Sequence, residues 1–454
     1  MQKKSLSLIL EEMVFFYISI LFSGTTYVIP QIFLLKYYPE NKTMLLALLV
    51  IAGTLASILG VWLSTGQKCG QLLNDSKSAI ISLFLLLTVL FNFQYFIQSI
   101  TLFLLVLIAV KFISNFLYNY LDTGLSNQNS EFELKHHVNA MVLYQLLAYI
   151  SAPVFFSAFF FLTPVNIVVP TLIAIISILF LSFSSRMIPS FNTKTKTSPE
   201  GSRLNGSEKC FLIYVFLIHA GVILVSSLAI YILQDYYQMK NAVQIGGALI
   251  GYISFIAVLT IFAVIILTSK RLEKRGTVLS LSTETKGNPL SLSSEARERP
   301  LSFSDETREN PLSLSTKSNV ATSSLLIFGS LLFFLKLSES VPYVFFIGTV
   351  TGIALGLFLH STRTYANQKA NMENKANILM YYNNLPNIGT LLSLGLTFVF
   401  TIIAEKTNTN FDQMILIVIM MVFVSCFVSI LVYAIQFKNR CKRKNENETI
   451  VSPT

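Results

Sequence analysis

The chain has 454 residues, 53% of them apolar and 13% aromatic, with a mean hydropathy of +0.63 and a formal net charge of +10. Segment after segment exceeds the ~18 apolar residues needed to cross a bilayer, which excludes a soluble globular protein. Backbone amides find no water in lipid, so these segments must be helices.

Twelve spans are expected, at roughly 13–36, 44–66, 78–97, 100–121, 138–162, 165–185, 209–234, 243–268, 321–338, 341–360, 376–404 and 413–437. The polar stretch from Arg186 to Glu208 divides them into two groups of six and reads as a flexible connector. The fold class is therefore all-α: a polytopic membrane protein of two six-helix bundles, 1–186 and 209–437, joined by a cytoplasmic linker at 187–208 and followed by a basic tail at 438–454. All but Lys36, Lys42, Lys111, Lys240, Lys336 and Lys406 of the 33 Lys and Arg fall in segments read as cytoplasmic. That bias places both termini inside, which needs an even number of spans, and it explains the charge without nucleic acid.

Span one contributes Tyr17, Tyr27 and Gln31, polar groups in an apolar run. Span four carries Lys111 near its middle, followed by Asn115, Asn119 and Asp122. Steps of four, four and three keep all four on one helical face. A charge at mid-bilayer depth costs at least ~2.5–3.5 kcal/mol, so Lys111 faces protein or water, either as a solute contact or as a fixed charge pair. In span seven His219 titrates near neutrality in its unperturbed form, which makes it a candidate proton carrier, though a packed histidine is the plainer reading. Span ten adds Thr349 and Thr351. Span eleven holds Tyr381, Tyr382, Asn383, Asn384, Pro386 and Asn387, where a proline kink frees a carbonyl one turn back and the amides either repair it or gate a path. The substrate-binding candidates are Lys111, Asn115, Asn119, Gln31, Tyr27, Asn383, Asn384 and Asn387; those for coupling or gating are His219, Asp122 and Pro386.

The segment 269–320 repeats an eleven-residue unit, seen in Val278-Leu279-Ser280-Leu281-Ser282 and again from Pro289, Pro300 and Pro311. Proline in three of four copies and the serine-rich cores oppose helix, so disorder in a cytoplasmic loop is expected. Such a loop could be the output of a non-transporting sensor, the alternative to a carrier; losing it would then abolish signalling and leave uptake intact.

Cys69, Cys210, Cys426 and Cys441 have no metal-ligand spacing, and adjacent His136 and His137 point in different directions on a helix. There is no phosphate-cradling lysine loop and no nucleophile elbow. No enzyme, metal or cofactor is expected. The partners are a small solute, the bilayer and, if His219 titrates, a proton; the chain is expected to act as a monomer.

The layout of six spans, a linker and six spans resembles the major facilitator superfamily, whose loop signature between spans two and three is similar to Gly60 through Lys68, with Ser64 where that family has Asp. A second resemblance is to equilibrative nucleoside transporters. Gly24 through Phe33 looks like that family's Gly…Pro-Trp-Asn segment with Gln31 for the Trp, and Gly352 to Leu357 with Asn377 to Leu392 resembles its closing helix pair. The sequence departs from the second family in lacking the Asp…Gly-Arg motif of span eight and in having a twelfth span. The resemblances imply a carrier that rocks two bundles about a mid-membrane site, with spans one, four, seven and ten lining it and a nucleoside as one substrate class.

Overall fold

The computed structural model describes residues 18–24, 28–65, 82–83, 85–87, 89–90, 99–128, 147–148, 150, 206–283, 311–370, 375–407 and 411–450. Expected spans three, five and six lie mostly or wholly outside them. Among the described residues the regular structure is entirely helical, and eight helices are long and apolar enough to cross a membrane. The chain is an integral, multi-pass membrane protein.

Span one is helical over 18–24 and resumes as α1, Ile29–Tyr37, with Pro30 in its first turn, where the missing N–H has no ladder partner to lose. Then come α2 (Lys42–Thr65), α3 (Ile100–Gln128), α4 (Gly206–Tyr231), a π-turn (Ile232–Tyr236), α5 (Ala242–Thr283), α6 (Pro311–Leu335), α7 (Val341–Ala370), α8 (Lys375–Thr407) and α9 (Phe411–Ile450). Leu48, Leu55, Leu59 and Trp62 on α2, and Phe255, Leu259, Phe262 and Ile266 on α5, recur at helical spacing and are exposed. In water such stripes would be a liability; here they are the surfaces that meet lipid.

One expectation is corrected at its edges. Helix covers 269–283 and 311–320, the two ends of the segment read as disordered, and 284–310 lies outside the described residues. The proline that argued against helix, Pro311, opens α6, the one helical position that tolerates it. The tail from 438 likewise continues α9 as helix to Ile450.

Within the first half α2 packs along α3, and span one crosses α3 through stacked rings, Phe22 on Tyr118 at 4.4 Å and Phe33 on Phe103 at 4.3 Å. In the second half α7 lies between α5 and α6, while α4 and α6 pack on α9. Lipid tails are as apolar as leucine, so helices gain little from burying apolar groups against each other and depend on close packing. A glycine seam supplies it: a Cβ on Gly352 would lie 2.8 Å from Ile253 O, and one on Gly356 2.6 Å from Ala257 O. The halves meet where α2 packs on α8 and α1 on α4.

The turns at 38–41, 237–241 and 336–340 share one face of the bundle, called the short-loop face below. Tyr237 O–H donates to Phe333 O at 2.9 Å and Lys336 Nζ to Tyr236 O at 2.6 Å, tying two of these turns together.

Candidate functional site

Lys111 is buried to 1% exposure on α3, and the structure shows what it lies against. A Cβ on Gly53 of α2 would stand 2.7 Å from Lys111 Cε, so the lysine stem crosses α2 where a side chain is missing. One turn on, Asn115 Nδ2 donates to Lys111 O at 2.8 Å while its Oδ1 accepts from Ser57 Oγ at 3.2 Å. Asn119 Nδ2 donates to Ser57 Oγ at 2.9 Å and to Asn115 O at 2.9 Å. The expected stripe is thus one continuous seam, and its partner is α2. Each amide bridges helix backbone and a hydroxyl, which satisfies groups that lipid would leave bare. The side chain of Asp122 lies outside the described residues.

Gln31 is fully buried and reaches across the halves. Its Nε2 donates to Ser226 O at 2.9 Å, and its Oε1 accepts from Ile230 N–H at 3.1 Å. Tyr231 O–H donates back to Gln31 O at 3.4 Å. A turn further out, Lys42 Nζ pairs with Asp235 Oδ2 at 2.5 Å and stands 5.1 Å from the Tyr231 ring centre. Asp235 is held by the π-turn, closed by Tyr237 N–H on Ile232 O at 3.0 Å. π-turns are uncommon and concentrate at functional positions. Just outside, a cavity of about 600 Å³ is lined by Leu35, Gln234, Gln238 and Lys240 among others.

A third cluster was invisible to the sequence reading. Asn319, placed there in a loop, is fully buried on α6. Its Oδ1 accepts from Ser361 Oγ on α7 at 2.5 Å and from Tyr214 O–H on α4 at 3.3 Å. Among the described residues its Nδ2 is buried without a hydrogen-bond partner, as are Ser23 Oγ on span one, Ser227 Oγ on α4 and Asn384 Oδ1 on α8. His219 sits beside this cluster, its ring edge-on to Phe358 at 5.2 Å, and Phe358 also meets Tyr214.

The remaining candidates are scattered. Thr351 Oγ1 donates to Ile347 O, and Thr349 Oγ1 to Phe345 O while sharing a bond with Tyr252 O–H, so both hydroxyls have partners at their own helix. α8 runs unbroken through Pro386, whose carbonyl accepts from Thr390 Oγ1 at 2.8 Å. Gly389, one turn on, lets α8 cross α4, with a Cβ there falling 2.7 Å from Phe216 O. Asn387 lies half-buried on this stretch of α8. Tyr17, Tyr27 and the side chain of Asn383 lie outside the described residues.

No protein-family model matches the chain, and no curated protein matches it in sequence. Solved structures do match in shape. The nucleoside transporter NupG superposes with a TM-score of 0.64 at 11% identity, over 94% of this chain and 99% of that one. This is the fold of the major facilitator transporters. A POT family transporter in complex with 5-aminolevulinic acid matches with a TM-score of 0.59 at 10% identity, over 96% and 97% of the two chains. A bacterial homologue of the iron transporter ferroportin, in its inward-facing state, gives 0.58 at 12% over 95% and 99%. The shared property is architecture; identities this low carry no residue-level correspondence.

Proposed function

We propose that the chain is a solute carrier that works by alternating access, with the short-loop face outside and both termini in the cytoplasm. The observation that carries this reading is the nature of the closure between halves. A seam meant to stay shut in lipid has no need of a partly exposed ion pair or of an amide reaching into another helix, and the closure at the short-loop face uses both. Lys42 and Asp235 are 15% and 36% exposed, so parting them exchanges a weak contact for water at small cost. The fold supplies the second half of the argument, since the matched structures are a nucleoside transporter, a POT family transporter and a homologue of an iron transporter.

The solute is a small polar or anionic molecule, a nucleoside being the narrower candidate. Ser23, Ser227 and Asn384 are its natural contacts, because their buried hydroxyl and carbonyl groups have no partner among the described residues and such groups cost ~1–3 kcal/mol each until something fills them. His219 is the group through which a proton gradient would act, and catalysis has no place in this reading. The chain works as a monomer, each copy carrying a full pair of bundles.

The test is uptake by the purified chain in proteoliposomes, with radiolabelled nucleosides, amino acids and organic anions, with and without a pH gradient. Saturable uptake of one class is expected. Absence of saturable flux for every solute would overturn the carrier reading, and flux indifferent to the gradient would remove His219 from coupling.

A further inference from the structure

Ser226 O and Ile230 N–H stand four residues apart on α4, the spacing of an α-helical ladder bond, and Gln31 engages both at once. A primary amide carries a carbonyl and an N–H donor in one plane, as a peptide group does. Gln31 therefore offers the two members of one ladder pair a complementary partner each, from the other half of the molecule. A side chain that enters a helix ladder is also a recognised cause of local bending, and the π-turn at Ile232–Tyr236 begins two residues further on.

We propose that Gln31 is an exchangeable stand-in for the Ser226–Ile230 ladder bond of α4. When the halves close at the short-loop face its amide serves both backbone groups, and when they part it withdraws into water while the two groups fall back on each other. No backbone group is left bare in either state. This inference rests on the carrier reading, because it supposes that the face opens. It explains why the closure uses an amide where an apolar side chain would pack as well: methionine or leucine would gain by staying buried and would hold the face shut, whereas the amide has good partners on both sides of the transition.

The chemistry separates this from a simple clamp. Methionine matches glutamine in length and has no hydrogen bonds to offer, so α4 closes its own ladder and the buried thioether favours closure. Glutamate cannot donate to Ser226 O and brings a charge that prefers water. A clamp held by two hydrogen bonds would instead loosen with either substitution.

The experiment places spin labels at Glu40→Cys and Leu337→Cys, exposed positions on turns of opposite halves, in the full chain with its native cysteines replaced, reconstituted in lipid. Distance distributions then read closure directly, with no solute needed. Gln31→Glu is expected to raise the ratio of open to closed populations about tenfold or more. Gln31→Met is expected to lower it by about tenfold, the effect of burying roughly two methylene equivalents, and Gln31→Leu to act in the same direction. Opening by Gln31→Met to the extent seen with Gln31→Glu would overturn the proposal in favour of a clamp, and so would failure of both apolar variants to fold, because a self-closing ladder accommodates them. A single fixed distance in the unaltered chain under all conditions would instead retire the carrier reading itself.

Discussion

Lys111 shows how a residue can be legible in type and illegible in partner. Its cost in lipid marks it from sequence alone, and the Asn115 and Asn119 spacing marks its helical face. Which neighbour that face meets is a tertiary fact, decided by Gly53 and Ser57 on α2. The slot over Gly53 fits an unbranched stem, so Lys111→Arg overpacks it and should lower thermal stability in detergent by about 1–3 kcal/mol, while Lys111→Met should keep the fold. Uptake that survives Lys111→Met unchanged would remove the residue from solute binding. Asn319 escaped notice for a plain reason: Thr316, Lys317, Ser318, Thr322, Ser323 and Ser324 surround it, and low hydropathy reads as loop. The usable signal was the polar face at 319, 322 and 323, one helical side. Asn319→Ala should take one acceptor each from Tyr214 and Ser361, which keep Asn319 O and Phe358 O, and cost about 0.5–1.5 kcal/mol in the same melting assay, whereas a surface serine such as Ser324→Ala should cost almost nothing.

At the scale of elements, hydropathy placed the membrane-crossing parts of α5 and α9 where the structure has them, Ala242–Leu267 and Met414–Gln436, and was silent on how far each helix runs beyond. Apolar composition records where lipid is, and a helix continues past that boundary wherever its residues permit. The same limit hid the π-turn, because Ile232 to Tyr236 reads as the end of an ordinary span. What holds elements together is backbone proximity at glycine. Gly356→Val would drive a side chain into Ala257 O and Thr260, spreading α5 from α7. A loss of about 1–3 kcal/mol in detergent stability, with aggregation on purification, is the expected result. A melting point equal to that of the unaltered chain would show that the pair tolerates separation.

At the scale of the whole molecule, the polar stretch Arg186–Glu208 suggests a division into halves but lies mostly outside the described residues, and nothing in the sequence suggests the contact between span one and α4. Gln31 and Lys42 lie in and after span one, and Asp235 sits nearly two hundred positions away. Nothing in local composition pairs them. Lys42→Asp should place two carboxylates together and favour the open arrangement of the short-loop face, with the distance between spin labels at Glu40→Cys and Leu337→Cys as the measure of closure. Adding Asp235→Lys should restore the label distance to near its starting distribution, since an exposed pair of this kind is worth about 0.2–1 kcal/mol and charge order matters little to it. Failure of the double substitution to restore it would mean that the pair does not contribute to closure.

The empty side of Gly53 constrains how this sequence can drift. Lys111 and Gly53 occupy one volume between them, and a methyl group at position 53 would lie 2.7 Å from the lysine stem. Descendants that acquire a side chain at 53 must therefore either move the end of the lysine or shorten residue 111. The two positions should tend to vary together.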